Sequence, residues 1–195
     1  QPIETAIPAL LDFLDVKCCI VTIDAMGCQE KVGEKIIAKE ADYVLAVKGN
    51  QKQLHEEIID FFQTARTYDF QGVKYDYFEE AHKGHGRVEQ RRYWISDMLG
   101  SISNPGRWSS LCSIGMVESE RYIDGKTTSE IRYFISSLTA DAKIFSNAVR
   151  KHWAIENQLH WVLDVSFRED ESRVRRDNAP ENMAVFRHVV MNALR

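Results

Sequence analysis

A chain of 195 residues is long enough to bury roughly 70% of the surface its unfolded form exposes, which is sufficient for one sizeable core. Its 44% hydrophobic and 28% charged residues, with 4 Pro and 10 Gly, exclude a disordered tail or a fibrous repeat. The formal net charge of -4, from 25 Lys+Arg against 29 Asp+Glu, excludes a histone-like basic protein while leaving room for local basic patches.

The N-terminal segment carries Ile3, Ile7, Leu10, Leu11 and Leu14 on one helical face. An interior proline forfeits a backbone hydrogen bond, so Pro8 predicts that the regular helix begins there, with Pro8 near its first turn. Cys18-Cys19-Ile20-Val21-Thr22-Ile23 is a short β-branched run ending at Asp24, and it reads as a buried strand. Val32, Ile36 and Ile37 follow at helical spacing among charges, and Tyr43-Val44-Leu45-Ala46-Val47 is a second buried strand closed by Lys48-Gly49. Strand, helix and strand in this order predict a parallel pair. Asn50 and Gln53 have the spacing of a capping box ahead of a helix through Leu54, Ile58, Phe61 and Phe62.

From about Tyr68 to Ser137 the helical period gives way to short alternating stretches, at 73–78, 88–95, 112–121 and 127–136. Asp124-Gly125 between the last two is a hairpin signal, because both residues tolerate positive φ. Thr139 can cap the next segment, with Asp141 in its first turn, and Ile144, Ala148, Ile155, Leu159 and Val162 keep to one helical face through about Leu163. Beyond the charged stretch 168–177, Asn178 and Glu181 repeat the capping-box spacing before a last amphipathic helix carrying Met183, Phe186, Val189, Val190 and Leu194. The four cysteines offer no C-x2-C zinc knuckle and are expected to be reduced thiols of a cytosolic protein. No apolar run approaches the roughly 18 residues that a membrane span needs.

Asp24 follows directly on an apolar strand, so it projects from the carboxyl end of a parallel sheet, where open α/β folds place their ligands. The alternative is that it caps the helix that follows. Glu156 lies mid-helix among Trp153, Leu159, His160 and Leu163, and a glutamate in such surroundings is costly to bury unless a cation or a donor meets it. Its plainer reading is a boundary residue paired with Arg150 or Lys151. His160 and Asp164 extend the same face, His160 as a structural residue more readily than a metal ligand. A strand-end aspartate, a distant helical glutamate and a further strand aspartate can hold two divalent cations that activate a water or 3′-hydroxyl and stabilise the leaving oxygen of a phosphodiester. Hard carboxylate oxygens suit Mg2+ or Mn2+.

Val21-Thr22-Ile23-Asp24-Ala25-Met26-Gly27-Cys28-Gln29, Asp42-Tyr43 to Lys48-Gly49-Asn50-Gln51, His85-Gly86-Arg87-Val88-Glu89 and His152-Trp153-Ala154-Ile155-Glu156-Asn157-Gln158-Leu159-His160-Trp161, running on through Asp164-Val165 and Phe167-Arg168-Glu169-Asp170, closely resemble the H-repeat-associated insertion-sequence transposases. The resemblance spans the whole chain and implies an α/β fold: a ribonuclease H-like core, incomplete in this chain, with a β-rich insertion between the last core strand and the helix carrying the catalytic glutamate. It divides the chain into a first core part at 1–67, an insertion at 68–137 and a second, helical core part at 138–195. Asp24 matches the second aspartate of the DDE triad and Glu156 its glutamate, both as Mg2+ or Mn2+ ligands. The first aspartate is expected upstream, so the segment alone is expected to be inactive. The implied activity is cleavage of transposon ends and strand transfer into target DNA, carried out by a bacterial cytoplasmic protein with DNA and a homodimeric copy as partners. A degenerate, non-catalytic DNA-binding protein is the alternative. The Tyr-x2-Arg-x3-Glu-x6-Lys signature of related transposases is absent, since those positions hold Val149, His152 and Leu163 around Glu156.

Other DNA contacts are available. Lys83, His85, Arg87, Arg91 and Arg92 cluster near Gly84 and Gly86, and on a strand Arg87 and Arg91 share a face. The cluster Arg173, Arg175 and Arg176 is offset by Glu169, Asp170, Glu171 and Asp177. Trp94 is expected in the core rather than stacked on a base.

Overall fold

The structure, a computed structural model, describes residues 3–84, 87–123, 125–155, 162–169 and 171–193. Two compact units divide it, at 1–149 and 150–195. In the first, helix α1 (Ile3–Phe13) leads to strand β1 (Ile20–Ile23), helix α2 (Glu30–Ala38), strand β2 (Asp42–Val47) and helix α3 (Lys52–Thr67). Four long strands follow, β3 (Asp76–Gly84), β4 (Arg87–Ser96), β5 (Ser113–Ile123) and β6 (Lys126–Ser136), and helix α4 (Ala142–Ile155) begins in this unit and ends past the division at 149.

The six strands among the described residues form one mixed sheet in the order β1-β2-β6-β5-β4-β3. β1 and β2 are parallel, with Ile23 opposite Leu45, as the strand–helix–strand pattern predicts. Every other pair is antiparallel, and β6 folds back to lie beside β2. Hydroxyls reinforce that join. Ser136 Oγ donates to the Tyr43 carbonyl at 2.8 Å, Tyr43 N donates to Ser137 Oγ at 2.9 Å, and Ser137 Oγ donates to Asp42 at 2.7 Å.

Strand alternation gives the sheet two unlike faces. On the first, Tyr43, Leu45, Ile114, Ile135, Met116 and Tyr133 meet Val32 and Ile36 of α2 and Ile58 and Phe62 of α3 in one buried cluster. On the second, Phe145 of α4 lies edge-on to Tyr93 and Phe134, with ring centroids 6.2 and 5.4 Å away. Gly115 makes room for that ring: a Cβ there would stand 2.6 Å from Phe145 Cζ.

Three helix ends differ from expectation. α1 runs through Pro8 instead of starting at it, at the cost of one backbone hydrogen bond. Its far end is held by Lys39 Nζ, which donates to the carbonyls of Leu11 at 2.5 Å and Leu14 at 2.6 Å. A cation on the last carbonyls of a helix satisfies its unpaired acceptors and its dipole together. At α4 the capping side chain is Asp141, whose Oδ1 accepts from Ile144 N at 2.8 Å, and not Thr139 two residues earlier. Asp76 of β3 adds a second carboxylate, accepting from Ala142 N at 2.7 Å. At α3 no capping box forms, because Gln53 donates to Glu57 and Asn50 is engaged elsewhere.

The second unit holds a π-helical turn at Val162–Ser166 and helix α5 (Ala179–Ala193). Arg187 of α5 donates to Glu169 at 3.2 Å. Met183, Phe186 and Val189 form the apolar face anticipated for α5, and they remain exposed. No helix among the described residues is long and apolar enough to cross a membrane.

Candidate active site

Asp24 stands one residue beyond β1, with its backbone still extended at φ -69° and ψ 175°. The alternation that places Ile23 with Leu45 on the first face turns Thr22 toward the second, and Asp24 follows just beyond the strand end. Its side chain is exposed, and Oδ1 accepts from Gly27 N at 3.4 Å, so Asp24 also caps the short 3-10 turn Ala25–Gly27. That contact is long for a hydrogen bond. Capping and ligand binding are therefore compatible at this carboxylate, and its second oxygen accepts no hydrogen bond among the described residues.

Two neighbours shape the turn. Gly27 packs so closely on the strand that a Cβ would collide with the Ile23 side chain and stand 2.7 Å from Ile7 Cδ1. On the open side, Asn50 Nδ2 donates to the Ala25 carbonyl at 2.5 Å and Gln51 Nε2 donates to the Cys28 carbonyl at 3.0 Å. Asn50 and Gln51 leave the end of β2, so the loops after the two parallel strands are tied at the sheet edge where open α/β folds bind ligands. The capping-box spacing of Asn50 conceals this role, although the sequence does place two amide side chains just past a strand end. Burial pushes the Cys28 thiol up to about 12, which disfavours its thiolate.

Glu156, His160 and His85 lie outside the described residues, so the separation of Asp24 from Glu156 is not defined. Among the described residues, no group of three or more His, Cys, Asp or Glu side chains could hold a metal ion. A carboxylate oxygen such as Asp24 carries is of the hard kind that Mg2+ takes.

The basic residues divide between the two sheet faces. On the first face, Lys83 is exposed and aligned with Val88 and Tyr122. Arg92, on the same face, donates to Glu79 at 3.3 Å, Glu118 at 3.1 Å and Glu120 at 3.2 Å. Desolvation works to lower the Arg92 pKa, but the hydrogen bonds to Glu120 and Glu118 outweigh it and hold the pKa above its ordinary value. Arg87 and Arg91 occupy register positions of the second face of β4, as their spacing predicts. At the intervening position stands Glu89, only 8% exposed, which accepts from Arg91 at 2.6 Å and Arg121 at 2.9 Å. Trp94 is 9% exposed, stacked with Phe70 at 6.3 Å and covered by the Arg66 guanidinium at 4.8 Å, so it belongs to the core as expected. In the second unit, Arg173, Arg175 and Arg176 are exposed. Arg175 donates to the Ser172 carbonyl at 2.7 Å, and Arg176 stands 3.7 Å from Asp177.

Residues 3–193 match the family described as Transposase DDE domain. The chain is 42% identical over 195 residues to "Putative transposase YncI" of Escherichia coli O157:H7, covering 98% of this chain and 49% of that protein. It is 37% identical over 195 residues to "H repeat-associated putative transposase YhhI" of Escherichia coli (strain K12), covering 97% of this chain and 51% of that protein. The chain thus spans about half the length of these relatives. With the family matched over nearly its whole length, from α1 to the end of α5, this chain belongs to the DDE transposase domain family.

Proposed function

We propose that this chain is the segment of a transposase that carries the second aspartate and the glutamate of a DDE site, Asp24 and Glu156. In this reading β1 and β2 belong to a ribonuclease H-like core, residues 68–137 are its insertion, and the helices after 138 return the chain to the core. The observation that carries the reading is the placement of Asp24. It is an exposed carboxylate just past the carboxyl end of a strand paired in parallel, where open α/β folds bind their ligands. Asp24 and Glu156 would hold Mg2+ or Mn2+, and the bound metal supplies charge stabilisation and an activated nucleophile for phosphodiester cleavage. A third carboxylate outside this segment completes the set, so the segment alone is inactive.

The substrate is DNA, first the transposon ends and then the target, with two copies acting on paired ends in the bacterial cytoplasm. The β3–β4 hairpin supplies phosphate contacts from Lys83, His85, Arg87, Arg91 and Arg92. Among these, Arg92 is the least available, because three glutamates already occupy its guanidinium.

The test uses the full-length protein on DNA carrying the element's ends. Nicks leaving 3′-hydroxyls are expected with Mg2+ or Mn2+ and none in EDTA, while binding persists in EDTA. Cleavage that survives chelation overturns the metal-dependent reading. In the same protein, Arg87→Ala with Arg91→Ala is expected to weaken binding and lower its salt slope by up to about two. An unchanged slope removes this pair from the DNA interface.

A further inference from the structure

We propose that Asn50 and Gln51 are positioning residues for Asp24, a strap thrown from the loop after β2 onto the turn that carries the carboxylate. The inference rests on the reading of Asp24 as a metal ligand. Asp24 holds its own turn weakly: Gly27 N donates to its backbone carbonyl at 3.1 Å and to Oδ1 at 3.4 Å. A 3-10 turn of three residues has few internal hydrogen bonds to fix it. The strap adds three contacts from outside. Asn50 Nδ2 reaches Ala25 O at 2.5 Å and Cys28 O at 3.5 Å, and Gln51 Nε2 reaches Cys28 O at 3.0 Å.

The accepting carbonyls bracket the turn. Ala25 O also receives Cys28 N at 3.2 Å, so Asn50 joins the bond that closes the turn. Beneath, Gly27 is seated against Ile23 and Ile7, which prevents the turn from sinking toward the sheet. Held from both sides, Asp24 has one backbone position from which to offer an oxygen. A ligand oriented in advance gives up less freedom when the cation arrives, and groups that orient metal ligands are worth roughly 10- to 100-fold in affinity. Among the described residues Asn50 does not cap α3, whose N-cap Gln51 makes no side-chain cap bond either, so both amides are available to the turn.

The experiment compares Asn50→Ala, Gln51→Glu and the double variant Asn50→Ala/Gln51→Ala in the full-length protein. Gln51→Glu keeps the size of the side chain but sets a carboxylate against the Cys28 carbonyl. Two readouts are taken: the Mn2+ concentration giving half-maximal cleavage, and metal-free amide exchange at Gly27 and Cys28. For the double variant we expect the Mn2+ requirement to rise roughly tenfold or more, with activity recovering at high Mn2+ and DNA binding in EDTA unchanged. Exchange at Gly27 and Cys28 is expected to quicken by roughly tenfold as the strap's hydrogen bonds are lost. Gln53→Ala, which disturbs only the Gln53–Glu57 pair on α3, is expected to match wild type in both readouts. Faster exchange with an unchanged Mn2+ requirement makes the strap merely structural and overturns the proposal, as does wild-type behaviour in both. Asp24→Asn run alongside separates the two claims, since continued cleavage by that variant overturns the ligand reading itself.

Discussion

Asp24→Asn in the full-length protein is expected to lower strand transfer by roughly three orders of magnitude or more while leaving DNA binding in place. The substitution is chosen for what it keeps. Asparagine has the same size as aspartate and is as good an N-cap, so the turn Ala25–Gly27 retains its bond from Gly27 N. What disappears is a negative charge on a hard oxygen, and with it several kcal/mol of metal-borne transition-state stabilisation, each 1.4 kcal/mol or so being about tenfold in rate. If Asp24 were only a cap, Asp24→Asn would transfer strands at the wild-type rate. Glu156→Gln is expected to give the same loss. Transfer assays read together with binding in EDTA decide both.

Phe145→Ala is expected to cost about 3 to 5 kcal/mol of stability, seen as a fall in the midpoint of denaturant unfolding without loss of the slope. Phe145 is fully buried and touches the sheet through Tyr93 and Phe134, so it anchors α4 on the second face. Gly115→Ala presses a methyl into the same ring and is expected to cost about 1 to 3 kcal/mol by overpacking. The two costs share one cause. Combined, they should total less than their sum, because the ring that Gly115→Ala collides with is gone. Strict additivity would place the clash elsewhere.

Much of the element order is legible in the amino-acid sequence, and the reasons are local. Ile20–Ile23 and Asp42–Val47 are short, largely apolar runs separated by apolar residues at helical spacing among charges, so their own patterns identify a parallel pair, although β1, expected to be buried, is exposed at Ile20 and only half-buried beyond it. β5 ends at Ile123 and β6 begins at Lys126, and Gly125 between them has the positive φ, 79°, that the Asp-Gly signal anticipates, while Asp124 lies outside the described residues. What stays hidden is information that no single segment holds. Nothing in 127–136 announces that β6 pairs with β2, a match secured by Ser136 and Ser137 reaching residues more than 90 positions earlier. Asn50 has the spacing of a cap, but the neighbouring loop offers carbonyls within reach and takes the amide instead. Arg92 reads as a free cation in sequence, whereas the sheet's register aligns it with Glu79 and Glu118. At the candidate site, the strand-end position of Asp24 can be read from the sequence, while the contacts on its turn come from a helix and a loop distant in sequence.

The two ends of the sheet are unequally guarded. At one end, β3 presents Asp76, Glu79, Glu80, His82 and Lys83 along its length, a charged border that discourages a stranger strand from docking. At the other, β1 is four residues of Ile-Val-Thr-Ile, uncharged, with a strand neighbour on one side only among the described residues. Such an edge is a template for any extended chain that approaches it. Expressed as this segment alone, the protein should therefore be prone to concentration-dependent self-association through β1. Ile20→Lys, at a half-exposed position of that strand, should keep it soluble without touching the opposite border.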